Sequence, residues 1–220
     1  MREVADGVHQ IALVPRDGIN AYVVGEVLVD AGIKGSAKKI LNAVEGRALR
    51  TLAFTHAHVD HVGGAQRVRD ALSLEVLAGA RDVEAVQSGT PVVADSALGG
   101  LLAKGGAFDG VAVDRALREG DEVAGFYVLD TPGHSPGHIA FWRESDRTLI
   151  CGDVFFNMNV FTTVPGLRWP LGLPTVDPER NRASGAKLAA LEPETVLFGH
   201  GPPLTGAAPK LRAFVERSQS

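Results

Sequence analysis

Residues 56–61 read His56-Ala57-His58-Val59-Asp60-His61 and hold three of the chain's seven histidines. With 7 His in 220 residues, one window matches His-x-His-x-Asp-His by chance roughly once in a million. Some two hundred windows bring that to about one in several thousand. The chemistry of the pattern is coherent. Neutral imidazoles bind Zn²⁺ or Fe²⁺, and a carboxylate adds charge and suits a harder ion. On a loop leaving a strand, His56 and His58 can point one way while Asp60 and His61 turn toward a neighbouring position. The competing reading is a polar loop that happens to be rich in histidine, and the rest of the chain weighs against it.

Working outward, Leu49 to Phe54 is a continuous apolar strand of the kind buried on both faces. A helix over 64–72 and a strand from Leu74 to Ala78 follow. Upstream, Val8 to Val14 reads as a strand ended by Pro15-Arg16-Asp17-Gly18. Residues 21–24 and 27–30 form a hairpin across Gly25-Glu26. Ser36 caps a helix with Ile40, Leu41 and Val44 on one face, stopped by Gly46. Residues 79–122 are less regular and read as a surface excursion or lid, with helices over 81–87 and 96–103. Pattern returns in strands at 127–129, 139–142 and 148–151. Asp177-Pro178 starts a helix that ends near Leu191, a strand spans 195–198, and a last helix covers 209–217.

Three more strand ends supply metal-binding side chains. Thr131-Pro132-Gly133-His134 follows a strand ending at Asp130, Cys151-Gly152-Asp153 follows another, and Phe198-Gly199-His200-Gly201 a third. Glycine beside each donor lets the backbone turn sharply. The order helix, loop, apolar strand, histidine occurs both before His56 and before His200, an internal echo of two similar halves. Ligands gather at the carboxyl ends of strands in open α/β sheets.

Composition excludes other classes. The formal net charge of -4 gives no electrostatic footprint for nucleic acid. No run approaches the roughly 20 apolar residues that span a bilayer, so no membrane partner is expected. Cys151 is the only cysteine, so no intramolecular disulfide forms. With a polar N-terminus, this points to a cytoplasmic protein. No Pro/Gly/Ser-rich boundary divides the chain, and residues 1–220 are read as one domain.

These motifs, with Asn20-Ala21-Tyr22, Val29-Asp30-Ala31-Gly32 and Thr131-Pro132-Gly133-His134-Ser135-Pro136-Gly137-His138, resemble the metallo-β-lactamase fold superfamily over nearly the whole length. The resemblance implies an α/β fold, a four-layer αβ/βα sandwich of two mixed β-sheets face to face with helices outside. It implies that His56, His58 and His134 hold one metal, that Asp60, His61 and His200 hold a second, and that Asp153 bridges them. The implied cofactors are two divalent ions, zinc foremost, with iron or manganese as other options. The implied chemistry is hydrolysis by a metal-bridging hydroxide, with Asp60 orienting it, on a small ester, thioester, lactone or amide.

Other residues admit two readings. His138 is either an outer partner of the site or a structural residue at a strand start, the latter preferred. Cys151 reads as a small core residue. Residues 155–175 carry Phe155, Phe156, Met158 and Trp169 without a clean period, and are read as an apolar wall or lid contacting substrate in preference to core packing. The segment after Asp153 lacks the tyrosine typical of lactone-cleaving relatives. The roughly 20 residues after His200 are too few for the helical glutathione-binding domain of glyoxalase II-like thioesterases.

Competing functions are a mononuclear iron oxygenase resembling persulfide dioxygenases and a non-enzymatic binding protein on the same scaffold. An exported β-lactamase, a nuclease and a flavin-coupled diiron protein each lack a feature they would need. The expected partner is a small-molecule substrate. Oligomeric state is left open, with a homodimer as one option.

Overall fold

Alternating apolar side chains build two sheets, each with one face toward the other. The computed structural model describes residues 1–93 and 105–218. The first sheet runs in chain order through β1 (Arg2–Ala5), β2 (Val8–Ala12), β3 (Asn20–Val24), β4 (Val27–Val29), β5 (Thr51–Ala53), β6 (Glu75–Gly79) and β7 (Arg115–Leu117). Strands β1 to β4 form an antiparallel meander, and β4 to β7 are parallel. The β3–β4 hairpin is the predicted one, turning on Gly25 at φ 54, where a side chain would cost energy. The second sheet has β8 (Glu122–Val123), β9 (Phe126–Asp130), β10 (Ile139–Arg143), β11 (Thr148–Ile150), β14 (Thr195–Leu197) and β15 (Leu204–Thr205). Their spatial order is β15-β14-β11-β10-β9-β8, with β11 and β14 parallel. β12 (Phe156–Met158) and β13 (Pro165–Arg168) form a separate hairpin.

Burial follows the period of two. On β4, Val27 and Val29 enter the layer between the sheets, where they join Tyr22, Ala53 and Leu77 against Phe126, Val128, Ile139 and Phe141. Leu28 points the other way, with Leu52 and Val76, against helices α1 (Ala37–Ala43), α3 (Ala65–Leu72) and α4 (Val83–Ser88). The outer face of the second sheet packs on α5 (Pro178–Ala189) and α6 (Ala207–Arg217). Each fully buried Leu, Val or Phe contributes about 1.5–3 kcal/mol. The result is the expected four layers, helices outside and two sheets within. Among the described residues no helix is long and apolar enough to cross a membrane.

Some elements differ from expectation. β5 is shorter than the apolar run, because Leu49 and Phe54 are buried beyond its hydrogen-bonded ends. Residues 79–122 are not simply a surface excursion: α4 covers the first sheet, β7 completes it and β8 opens the second. The helix expected over 96–103 lies outside the described residues. Asp177 caps α5 as predicted, its side chain accepting from the Arg180 backbone N–H at 2.9 Å.

Candidate metal centre

Parallel alignment brings the carboxyl ends of β4, β5, β9, β11 and β14 to one edge. The residues just beyond them are Asp30, the His56 loop, the His134 loop, Asp153 and His200. His58 is extended at φ -101 and ψ 153, and the next four residues form the single turn α2 (Val59–Val62), which carries Asp60 and His61. Hydrogen bonds between segments lock the loops together: Ala31 N–H to the His61 carbonyl at 2.6 Å, Ile139 N–H to the Thr55 carbonyl at 2.9 Å, and Asn20 N–H to the Gly199 carbonyl at 3.0 Å.

Seven side chains converge in two groups, His56, His58 and His134, and Asp60, His61, Asp153 and His200; the donor atoms of each group lie within 4.8 Å of one another. Asp153 Oδ2 joins the groups. It lies 3.2 Å from His200 Nε2, 3.4 Å from both His61 Nε2 and His134 Nε2, and 3.8 Å from His56 Nε2. His58 Nδ1 is 3.0 Å from His134 Nε2, and His200 Nε2 is 3.2 Å from Asp60 Oδ2. His56 Nε2, His61 Nε2 and Asp153 Oδ1 are buried without a hydrogen-bond partner. Such orphaned atoms cost free energy unless something binds them. Lone-pair donors of nitrogen and carboxylate oxygen converging in this way fit two divalent cations.

The far ring nitrogens of His56, His61, His134 and His200 are occupied. His61 Nδ1 lies 2.8 Å from Asp30 Oδ2, and Asp30 also accepts from the Thr55 N–H and hydroxyl. His200 Nδ1–H donates to the Gly18 carbonyl at 2.7 Å. His134 Nδ1 meets Thr175 Oγ1 at 3.0 Å, and His56 Nδ1 meets Thr55 Oγ1 at 3.1 Å. Such partners fix ring orientation and leave the inner nitrogen free. His138 Nε2 accepts from the Asp153 N–H at 3.0 Å, so its proton is on Nδ1, facing Thr131 Oγ1 at 2.8 Å. The ring stacks on His56 with centroids 5.0 Å apart. His138 therefore stands behind two of the convergent residues.

Asp82 was not foreseen. It accepts from Gly137 N–H through Oδ1, and from Ala57 N–H and the Ser135 hydroxyl through Oδ2. One buried carboxylate thereby ties the His56-x-His58 loop to the loop after His134. Burial raises its pKa, against the pull of these donors. No motif or period marked Asp82 or Thr175. Asp30 stood in plain view after β4, but nothing local marked it as the partner of His61.

The two groups differ in charge. Burial and neighbouring imidazoles push His56 and His58 below the usual histidine range, His58 to about 3. Burial also lowers His61 and His200, but the carboxylates outweigh it. Asp153, Asp30 and Asp60 raise His61, and Asp153 with Asp60 lifts His200 to about 10. Reciprocally, burial raises Asp60 and Asp153, yet the facing imidazolium groups hold both well below the usual carboxylate range.

These donors open on a cavity of about 1010 Å³ lined by His58, Asp60, His134, Asp153 and His200 and by many apolar side chains. Phe156 and Met158 line it, but Phe155 and Trp169 do not. Phe155 is fully buried and packs against Trp169 and Phe214, with ring centroids 5.1 and 6.0 Å away. Trp169 Nε1–H donates to Ser218 Oγ on the far side of the second sheet's helices. The expected substrate wall is thus split: two of its four residues are core, because successive strand residues face opposite ways.

Comparisons with known proteins identify the family. A family model described as the metallo-β-lactamase superfamily matches residues 14–200. The probable metallo-hydrolase YflN of Bacillus subtilis (strain 168) is 33% identical over 230 aligned residues, covering 93% of this chain and 87% of that protein. The crystal structure of TTHA1623 in a di-iron-bound form is 32% identical with a TM-score of 0.69, covering 92% of this chain and 96% of that one. The BLEG-1 B3 metallo-β-lactamase superposes with a TM-score of 0.70 at 28% identity, covering 91% of this chain and 95% of the other. The chain belongs to the metallo-β-lactamase superfamily.

Proposed function

We propose that this protein is a dinuclear metallo-hydrolase that cleaves a small ester, thioester, lactone or amide. The observation that carries the reading is the convergence of four imidazole Nε2 atoms within 3.8 Å of Asp153 Oδ2 at the mouth of a large cavity. His56, His58 and His134 would hold one cation, Asp60, His61 and His200 the other, and Asp153 would be shared. Bound there, two divalent ions would make water nucleophilic near neutral pH and polarise a substrate carbonyl. Zinc is the proposed metal. The di-iron-bound neighbour makes iron the alternative.

Asp60 has the role of orienting the attacking water. Its side chain is 31% exposed, against 7% for His200 and 2% for Asp153, so it faces the cavity more openly than they do. A carboxylate held low stays ionised and accepts a hydrogen bond from water at neutral pH. Asp30, Thr175 and the Gly18 carbonyl hold the imidazoles in place, and His138 holds the Asp153 backbone. A cytoplasmic, one-domain enzyme acting on a small molecule completes the proposal. The complete second donor group supports two metals over the single iron of an oxygenase.

Elemental analysis joined to a panel of aryl ester, acyl thioester, lactone and β-lactam substrates tests it. Two metal equivalents and turnover abolished by Asp60→Ala are expected. One iron per chain with oxygen consumption on a persulfide would overturn the reading.

A further inference from the structure

Phe161 is 80% exposed, the most exposed large apolar side chain among the described residues. It stands at the tip of the β12–β13 hairpin, immediately downstream of the shared carboxylate. The tip is tightly built. Asn159 Oδ1 accepts from the N–H groups of Phe161 and Thr162, each at 3.0 Å. Thr163 N–H donates to the Asn159 carbonyl at 2.7 Å, and Asn159 N–H to the Val164 carbonyl at 2.9 Å. From the neighbouring loop, Arg16 Nη1 donates to Thr163 Oγ1 at 2.7 Å. An aromatic ring is therefore held out of the core by hydrogen bonds on both sides of it.

The same cavity that exposes the convergent donors is lined by Phe156, Met158, Val160, Phe161, Leu171 and Leu173. Leu171 and Leu173 are 41% and 47% exposed, so this surface has much apolar area left to cover. A molecule whose carbonyl reaches Asp153 lays its remaining atoms along this wall. A charged substituent laid against these apolar side chains would be desolvated by them, whereas an alkyl or aryl group would gain by burial. Because the tip is already fixed, little ordering is needed on binding.

Building on the hydrolase reading, we propose that Phe161 and this wall select substrates by an uncharged alkyl or aryl substituent on the carbonyl carbon. Phe161 is the specificity-determining residue. The substrate class is the medium-chain acyl ester or acyl thioester, in preference to short or anionic acyl groups.

The test uses metal-loaded protein in two arms. In the first, p-nitrophenyl esters from acetate to octanoate, with the monoglutarate as the anionic member, are assayed by kcat/KM. In the second, methyl ketones from 2-hexanone to 2-decanone, which carry the carbonyl but cannot be hydrolysed, are titrated by calorimetry. Both arms should improve roughly fourfold per methylene, the fold-change equivalent to ~0.8 kcal/mol per buried CH₂, and the glutarate should lag behind the neutral ester of equal length. Phe161→Ala should flatten both slopes, and Phe161→Leu should restore most of them. The exposure of Phe161 leaves little fold to lose. Chain-length-independent turnover, or slopes unchanged in Phe161→Ala, overturns this proposal while leaving hydrolysis standing. Ketones binding with the expected slope while no ester is cleaved overturns ester hydrolysis and keeps the apolar selection. Neither turnover nor ketone binding overturns both.

Discussion

Asp30 and His61 meet through Oδ2 and Nδ1 at 2.8 Å, with side chains 3% and 0% exposed. Asp30 sits at φ 63, a left-handed conformation that asparagine tolerates and alanine does not. Asp30→Asn therefore keeps the backbone and removes mainly the charge. We expect metal affinity at the second group to fall by about 10–100-fold in this variant, read by competition with a chromophoric chelator. Asp30→Ala should in addition lose stability by about 1–2 kcal/mol from backbone strain alone. Wild-type affinity in Asp30→Asn would show that the pair does not orient His61.

Asp82 gathers three buried donors from two loops that carry convergent histidines. Asp82→Ala leaves Ala57 N–H, Gly137 N–H and the Ser135 hydroxyl without this acceptor. At about 1–3 kcal/mol per unsatisfied buried group, the loss should be on the order of 3 kcal/mol or more. Urea denaturation of the metal-free protein measures it directly. A midpoint within error of wild type would mean that the loops are held by other contacts.

The different protonation of the imidazoles in the two donor groups predicts ordered loading. His56 and His58 have lowered pKa values, so both are neutral at pH 7 and need lose no proton to bind a metal. His61 is raised and His200 is near 10, so each carries a proton at pH 7 that must leave before its lone pair binds. Affinity at the second group should thus climb as pH rises toward 10, while His56 and His58 add no pH dependence near neutrality. Metal stoichiometry against pH should pass from one to two equivalents. Calorimetry in buffers of different ionisation enthalpy should show more proton release at the second step than at the first. Simultaneous loss of both metals on acidification would contradict this order.

A Cβ at Gly199 would overlap Asp153 Oδ1 and lie 2.6 Å from His61 Cε1. Gly199→Ala should displace the shared carboxylate, lowering metal content and turnover at least tenfold. Helix and sheet content by circular dichroism should stay unchanged. Full metal content in this variant would show that Asp153 has freedom the packing denies it.

Trp169→Ala tests the division of residues 155–175. Its ring lies against Phe155 and Phe214, 5.1 Å from each. Stability should fall by about 3–5 kcal/mol, with kcat/KM of the folded fraction near wild type. A changed substrate preference would return Trp169 to the cavity wall.

Much of this was legible because the informative signals are local. A histidine cluster six residues long, and a glycine beside each distant donor, mark the convergent residues without knowledge of the fold. The hairpin of residues 21–24 and 27–30 was marked by its Gly25-Glu26 turn, but the all-apolar Val27-Leu28-Val29 did not say which face is which. Strand period held the clue to the aromatic segment: Phe156 and Met158 share a face, and Phe155 takes the other. That alternation was obscured because β12 is only three residues long. Asp82, Thr175 and the Gly18 carbonyl were invisible for a different reason. Each acts through contacts to segments far away in sequence, and a lone Asp, Thr or Gly in a loop carries no periodicity.

The bond from His200 to the Gly18 carbonyl joins residues 182 positions apart, and Asn20 reaches the Phe198 and Gly201 carbonyls over a similar span. Synthesis must therefore reach His200 before the earliest strands can close around it. A chain emerging from the ribosome would have His56, His58 and His134 in hand while Asp153 and His200 were still unmade. On the proposed assignment, the first donor group would be free to gather metal during translation, and the second would wait until Asp153 and His200 have been made.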